Sequence, residues 1–204
     1  MSSVKTRKLD ISTILAVVKA QTGSGATGPP VVGSAIIREI QPAGVGSSVS
    51  FSSNVRTLRQ MNDIQFNSLD ITLSGTPNWT ITIPTEGTYS FYASSMFQIY
   101  RNPGTSFTFG ASSKLFIRNE TLGLDNWIVG NSIINQLHTA TDNYVVNNIC
   151  VELNGIQTIT TPTTISLRQV CNANTGTPVL TGGGAVNILS SPEVYATLQI
   201  TRIA

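Results

Sequence analysis

Residues 79–97, WTITIPTEGTYSFYASSMF, alternate apolar and polar side chains on both sides of a short turn. Before the turn the apolar positions include Ile81 and Ile83, and after it they include Tyr89 and Phe91. Side chains on one face of a strand recur at every second residue, so each half predicts a strand with one buried face. The stretch is therefore predicted to form a β-hairpin, and it favours an all-β fold.

The same pattern continues from residue 36 to the C-terminus, where short alternating runs are separated by turns rich in Gly, Pro, Asn and Asp. Many short strands at this spacing, with no convincing helix between them, predict an antiparallel sandwich or barrel. The predicted strands are 35–40, 47–52, 64–73, 79–84, 87–100, 105–109, 113–119, 144–153, 163–170 and 193–203.

The N-terminal residues differ from this pattern and predict three zones. Residues 1–20 form a helical or extended tail, which we interpret as an anchor peptide because Asp10 can cap a short amphipathic helix. Residues 21–34 are a Gly- and Pro-rich linker, and residues 35–204 are the β domain. A helix this short needs a surface to dock on, and its own domain, a symmetry mate and a larger assembly remain open. The anchor residues on its apolar face are Ile11, Ile14, Leu15 and Val18.

Charge is scarce throughout the chain. Charged residues are 11% of the 204 residues, against about 25% in typical soluble proteins. A net charge of +2 does not indicate nucleic-acid binding. The basic cluster Lys5, Arg7 and Lys8 is predicted to be solvated tail. No apolar run reaches the roughly 18 residues of a membrane span. The run 11–20, interrupted by Lys19, is a poor signal peptide.

Residues suited to catalysis or metal binding are few and scattered, so we expect no enzyme activity, no cofactor, no metal and no catalytic residue. His138 is the single histidine and is predicted to lie in a loop or at the surface. The two cysteines, Cys150 and Cys171, are too few for a structural zinc site with one histidine. They allow either one disulfide or two free thiols.

Two predicted strands carry a tyrosine on the face opposite their apolar side chains. Tyr92 stands between Ser90 and Ser94, and Tyr195 is placed by alternation on the same face as Thr197. A half-buried strand needs only one apolar face, so these tyrosines are either exposed to solvent or part of a subunit interface, where tyrosine is enriched.

The chain resembles the tumour necrosis factor-like (TNF-like) jelly roll, a family that includes the complement globular heads and the trimeric tips of bacterial and viral surface proteins. The resemblance lies in a strand that ends at Pro84 and leads through a turn to Gly87, Tyr89 and Phe91. SKLFIRNETLG resembles the next strand of the family, and YATLQITRIA resembles its last. Residues 131–177 depart from the family pattern. The resemblance implies a homotrimer built on the sheet that contains the Tyr89 strand and the terminal strand, with Ser90, Tyr92, Tyr195 and Thr197 at the trimer interface.

Three functions fit these observations. The first is a trimeric structural protein of a virion surface, such as a spike, a fibre head or a minor capsid component, which contacts other capsid or surface-layer proteins through residues 1–20. The second is a secreted or spore-surface trimer that binds a receptor or glycan, and a cleaved N-terminus would favour it. The third is a single-jelly-roll coat protein that forms an icosahedral shell, although this function favours a more basic arm.

Overall fold

A computed structural model describes residues 32–47, 49–76, 79–101, 107–139, 145–173, 179–183 and 192–204. The predicted anchor 1–20, with Ile11, Ile14, Leu15 and Val18, lies outside the described residues, as does most of the predicted linker. The first strand begins at Gly33, inside the predicted linker 21–34.

The described residues contain strands and no helix. The described residues form thirteen strands, which are numbered in chain order. They are β1 (Gly33–Gln41), β2 (Ser50–Phe51), β3 (Arg56–Leu58), β4 (Asp63–Asn67), β5 (Thr72–Ser74), β6 (Thr80–Ile83), β7 (Gly87–Arg101), β8 (Phe107–Asn119), β9 (Leu124–Thr139), β10 (Val145–Ile159), β11 (Thr163–Ala173), β12 (Val179–Thr181) and β13 (Glu193–Arg202).

The strands form two antiparallel sheets. In sheet I the order across the main strands is β4, β1, β13, β7 and β10, with β12 and β2 continuing beside the distal end of β7. In sheet II the order is β5, β6, β11, β8 and β9, with β3 beside the distal half of β11. Neighbours in space are mostly distant in sequence, as in a jelly roll. The all-β antiparallel jelly-roll sandwich predicted from the sequence is confirmed.

The apolar faces of the two sheets enclose one core. Strand β1 shows the pattern most clearly, because Ala35 and Ile37 are fully buried whereas Ile36 and Arg38 are only half-buried. Ile81 and Ile83 of sheet II and Tyr89 and Phe91 of sheet I are also fully buried. The inward positions read from the 79–97 alternation are therefore correct.

The predicted hairpin at 79–97 is wrong in its pairing. Strand β6 pairs with β5 and β11 in sheet II, whereas β7 pairs with β10, β12 and β13 in sheet I. The turn between them crosses from one sheet to the other, and Gly87 at the start of β7 has a φ of 150°. Both apolar faces meet in the core from opposite sides, so alternation alone does not distinguish this arrangement from a hairpin.

The prediction was also incomplete between residues 105 and 159. The described part of the predicted segment 105–109 and the segment 113–119 belong to one strand, β8, and residues 105–106 lie outside the described residues. The sequence pattern does not predict the long strand β9. Strand β9 carries Gly130, Asn131 and exposed Val129 and Ile134, which blur its alternation. Its neighbour β10 extends to Ile159, six residues beyond the predicted end of that strand.

Candidate subunit interface

The outward face of sheet I, which is the face turned away from sheet II, is uncharged at its centre. Strand β13 is the middle one of the five main strands, and it pairs with β7 from Ser95 with Ala196 to Tyr89 with Arg202. Their outward side chains are hydroxyls, an amide, one thioether and one phenol. These residues are Ser90, Tyr92, Ser94, Met96, Thr197, Gln199 and Thr201.

One row of side chains crosses all five main strands of sheet I. Ile36 on β1 pairs with Phe66 on one side and with Gln199 on the other, and Gln199 pairs in turn with Tyr92. Tyr92 pairs with Asn154 of β10. Directly opposed residues in antiparallel strands project from the same face, so these five form a continuous stripe. Sequence alternation identified Tyr92 as an outward aromatic residue but missed Ile36 and Phe66. The available signal was an apolar side chain at an outward position of a strand, such as Ile36 between buried Ala35 and Ile37.

The neighbouring row carries charges on both sides of β13 and β7, with Asp63 and Glu152 on the edge strands and Arg38 on β1 directly beside β13. Arg38 of β1 forms an ion pair with Asp63 of β4, with 2.6 Å between Nη2 and Oδ2. Glu152 lies at the other edge, on β10, and pairs in register with Ser94. Thr197 and Ser94 occupy the centre of this row. A neutral centre with a charged rim is the composition typical of protein interfaces.

Tyr92 is the aromatic residue at the centre of this face. Its side chain is 37% exposed, and its hydroxyl donates to Glu152 Oε1 at 2.9 Å. That hydrogen bond, with a smaller contribution from burial, raises the pKa of Tyr92. The ring is therefore held in place before any partner arrives, and its immobilisation on binding loses less conformational entropy.

Exposed apolar side chains also occur at both edges of sheet I. Phe66 on β4 is 49% exposed and Ile156 on β10 is 63% exposed. They lie on strands at opposite ends of the sheet order. The two edges thus carry separate apolar positions.

Tyr195 does not lie on this face, contrary to the prediction from alternation. The β1–β13 register shifts so that Glu39 pairs with Ala196 and Ile40 with Val194, leaving Tyr195 as the extra residue of a β-bulge. Tyr195 is 3% exposed, and its hydroxyl donates to the backbone oxygen of Val45 at 3.0 Å. Burial, followed by its contact with Glu193, raises the pKa of Tyr195. Its ring is directed into the molecule.

The other predicted interface residues, Ser90 and Thr197, lie on the outward face at half-buried positions. Their partner strands place Ser90 opposite Ile156 and Thr197 opposite Arg38. The structure therefore brings Ser90, Tyr92 and Thr197 onto one surface and separates Tyr195 from them.

The described residues contain no cluster of three His, Cys, Asp or Glu side chains arranged as a metal site. Cys150 is exposed and Cys171 is buried, and both are free thiols, which answers the question that the sequence left open. His138 belongs to strand β9 and not to a loop. Within the described ranges we find no helix long and apolar enough to cross a membrane.

Comparisons with known proteins return fold neighbours only. No protein-family model and no curated protein matches the sequence. Murine APRIL, crystallised at pH 5.0, aligns over 84% of this chain and 98% of its own, with 11% identity and a TM-score of 0.35. The Eiger TNF of S. frugiperda aligns over 86% of this chain and 94% of its own, with 12% identity and a TM-score of 0.45.

The fold is a TNF-like jelly roll. This conclusion rests on the strand pairing, in which the Gly87–Tyr89–Phe91 strand and the terminal strand lie side by side at the centre of one sheet, as the sequence resemblance implied. Alignments with TM-scores this low assign no partner, assembly or activity to the chain.

Proposed function

We propose that the chain is a subunit of a homotrimeric surface head that assembles through the outward face of sheet I. The observation that carries this proposal is the uncharged centre of that face, where Tyr92 of β7 is 37% exposed and the paired parts of β7 and β13 carry no outward charge. The outward side chains of β7 and β13 are neutral, so their own burial desolvates no ion. The nearest ions, Arg38 and Glu152, lie on the adjacent strands β1 and β10.

The positions of the apolar residues allow a ring as well as a two-fold pair. Phe66 and Ile156 lie on opposite edges of the sheet, so joining one edge to the other connects two different surfaces. Such a heterologous contact produces a closed ring when its rotation closes. The TNF-like resemblance implies that three copies close it.

We place this trimer at the surface of a virus particle, with residues 1–20 contacting other capsid or surface-layer proteins and the loops facing outward. Two sequence features support this location: the low content of charge and the Ser-, Thr- and Asn-rich strands. A role as a structural head needs no catalytic site, in agreement with the scattered titratable residues.

The assembly is tested by the mass of the full chain in solution, measured by light scattering during size-exclusion chromatography. The proposal predicts about three times the 21.7 kDa of one chain. A stable monomer over the accessible concentration range contradicts the trimer.

The location is tested separately by electron microscopy of the native assembly. Threefold heads attached to particles agree with the virion role. Free trimers with a cleaved N-terminus contradict it and support the secreted binding module, whereas a shell with fivefold contacts supports the coat protein.

A further inference from the structure

A small cavity with both polar and apolar lining opens on the outward face of sheet II, on the opposite side of the sandwich from the candidate subunit interface. Its volume is about 180 Å³. The strand register brings its centre together, because Val170 of β11 pairs with Lys114 of β8, and Lys114 pairs with Ser132 of β9. The lining side chains include Asn54, Ser112, Lys114, Ser132, Val170 and Asn172.

Lys114 places a positive charge at this cavity. The arginines on the same face all have carboxylate partners: Arg56 with Asp125 at 3.3 Å, Arg118 with Asp125 at 2.7 Å, and Arg168 with Glu120 at 2.9 Å. Glu120 accepts from Ser166 as well as from Arg168, and although burial opposes the effect, its pKa is lowered.

Lys114, in contrast, has no carboxylate within ion-pair distance in the part of the chain that the structure describes. Its Nζ atom lies 5.9 Å from the centre of the Phe116 ring. The Arg56 guanidinium lies closer to the same ring, at 4.8 Å from its centre. The Lys114 ammonium group therefore places one positive charge at the cavity, where it can pair with one anion from outside the chain.

The rest of the lining suits hydroxyl groups. Asn and Ser side chains both donate and accept hydrogen bonds, as a sugar hydroxyl does. Asn172 is held in place because its Oδ1 accepts from Ser53 Oγ at 2.7 Å. Val170 and Phe116 add an apolar wall that C–H groups of a ring can contact.

The charge and size of the cavity narrow the ligand class. One lysine matches a single negative charge and not a polyphosphate, which favours several cations or a backbone nest. The cavity is smaller than the clefts of about 300–1,000 Å³ that hold drug-sized ligands, so it fits one ring. We propose that this cavity binds a carboxylate-bearing sugar, such as a sialic acid or a uronic acid, with the carboxylate on Lys114 and the hydroxyls on the Asn and Ser side chains.

This binding site is independent of the proposed trimer. The cavity lies on sheet II and the candidate subunit interface lies on sheet I, so assembly through sheet I leaves the cavity open. Binding is therefore expected whether the chain is monomeric or trimeric, and the mass of the sample is measured alongside.

The test is a titration of the isotope-labelled full chain, followed by NMR chemical-shift changes. The probes are the methyl glycoside of N-acetylneuraminic acid and sodium glucuronate. Glucose, acetate and inorganic phosphate at matched ionic strength serve as controls. We expect saturable shifts around Lys114 and Ser132 with at least one sugar acid and none with glucose or acetate.

Two variants and one matched control complete the experiment. Lys114→Gln is expected to weaken sugar-acid binding about tenfold or more, which is the usual effect of losing a charge-assisted hydrogen bond. Ser132→Trp fills the cavity and is expected to abolish binding. Ser74→Trp introduces the same side chain at an exposed position on β5, the far edge of the same sheet, and should bind like the wild type.

The proposal is overturned if neither sugar acid gives saturable shifts, or if glucose or acetate binds equally well. It is also overturned if phosphate competes with the same affinity, because the site would then select an anion and not a sugar. Unchanged binding in folded Lys114→Gln protein has the same consequence.

Discussion

Arg59 and Glu39 form an ion pair inside the sandwich, where both side chains are fully buried and Nε lies 2.9 Å from Oε2. Glu39 also accepts from Ser47 Oγ at 2.6 Å, and Arg59 Nη2 donates to the backbone oxygen of Tyr195 at 3.3 Å. Burial lowers the pKa of Arg59, and the nearby Glu39 carboxylate opposes that effect. The pair ties β1 to the loop before β4 and to β13.

Removing one partner of this buried ion pair should therefore strongly lower the free energy of unfolding. Arg59→Met strands the Glu39 charge in the core and is expected to lower the free energy of unfolding by about 3–5 kcal/mol. Adding Glu39→Gln should restore part of this loss, because an amide still bonds to Ser47 and carries no charge. Urea unfolding at one fixed protein concentration measures both effects.

Arg56→Met is the matched control for the ion-pair variant. Its pair with Asp125 is partly exposed, with side chains 31% and 51% exposed, so the expected loss is at most about 1 kcal/mol. Equal losses of unfolding free energy in Arg59→Met and Arg56→Met would show that the buried pair stabilises the fold no more than the exposed pair does.

The buried thiol of Cys171 should make the stability of the fold depend on pH in the alkaline range. Burial raises the pKa of its thiol from 9.0 to about 12, against the weaker opposing effects of Ser113 and Arg59. Above pH 9 the unfolded chain loses a proton that the folded chain retains, so stability falls as the pH rises toward 12. The fall contributed by this group is at most about 1.4 kcal/mol per pH unit.

Unfolding of Cys171→Ala and Cys150→Ala across that pH range checks this prediction. Cys171→Ala should flatten the slope, apart from the part that Tyr195 contributes through its own raised pKa. The exposed Cys150 is the control, and its replacement should leave the slope unchanged. Identical slopes in the two variants would contradict the assignment to Cys171.

At the scale of elements, β9 of sheet II and β10 of sheet I approach closely at Gly130. The approach is possible because glycine has no side chain there. A Cβ atom at Gly130 of β9 would lie 2.7 Å from the backbone oxygen of Glu152 in sheet I and 3.2 Å from that of Leu115 in sheet II. Backbone oxygens held in strands do not move aside as a flexible side chain does. Gly130 is thus required by the distance between the strands and not by a turn.

Gly130→Ala is expected to destabilise the fold by about 1–3 kcal/mol, which is typical of overpacking. Gly75→Ala is the control, because a Cβ atom there meets nothing within 4 Å and the restricted unfolded chain makes the change neutral or mildly stabilising. Thermal unfolding compares the two variants. A Gly130→Ala protein as stable as Gly75→Ala would mean that the closure is looser than these distances indicate.

The bulge in β13 is another feature of the element scale that shows where sequence interpretation stops. Alternation placed Ala196, Leu198 and Ile200 correctly in the core. It failed at Tyr195 because one extra residue against β1 reverses the facing of every position beyond it. The inward-facing ring of Tyr195 packs against Gly183, which has a φ of 138° and no side chain to obstruct the ring.

At the scale of the whole molecule, the proposed trimer predicts that the same substitution has opposite effects on assembly at the two outward faces of the sandwich. Thr197 and Thr82 are both half-buried threonines, the first on the outward face of sheet I and the second on that of sheet II. Thr197→Glu would bring a second carboxylate beside Arg38, which already pairs with Asp63, at the centre of the proposed trimer interface. We expect Thr197→Glu to dissociate the trimer and Thr82→Glu to leave it intact.

Light scattering at several protein concentrations measures this difference. A buried, unpaired charge costs about 3–5 kcal/mol, which is enough to shift a trimer toward monomer by several orders of magnitude in concentration. If both variants remain trimeric, the interface lies elsewhere on the molecule. If both dissociate, the substitution acts on the fold and not on the contact.

The sequence by itself determined the all-β class and most inward-facing positions, among them Ile81, Ile83, Tyr89, Phe91 and Leu198. These follow from a local cause, the two-residue period of an extended chain beside a core. Only the tertiary structure decided that β6 and β7 belong to different sheets, that Tyr195 faces inward, and that Lys114 meets Ser132 and Val170 at one cavity. Those outcomes depend on which distant strands pair and in which register, and hydrogen bonds between remote segments leave no periodic signal in the chain.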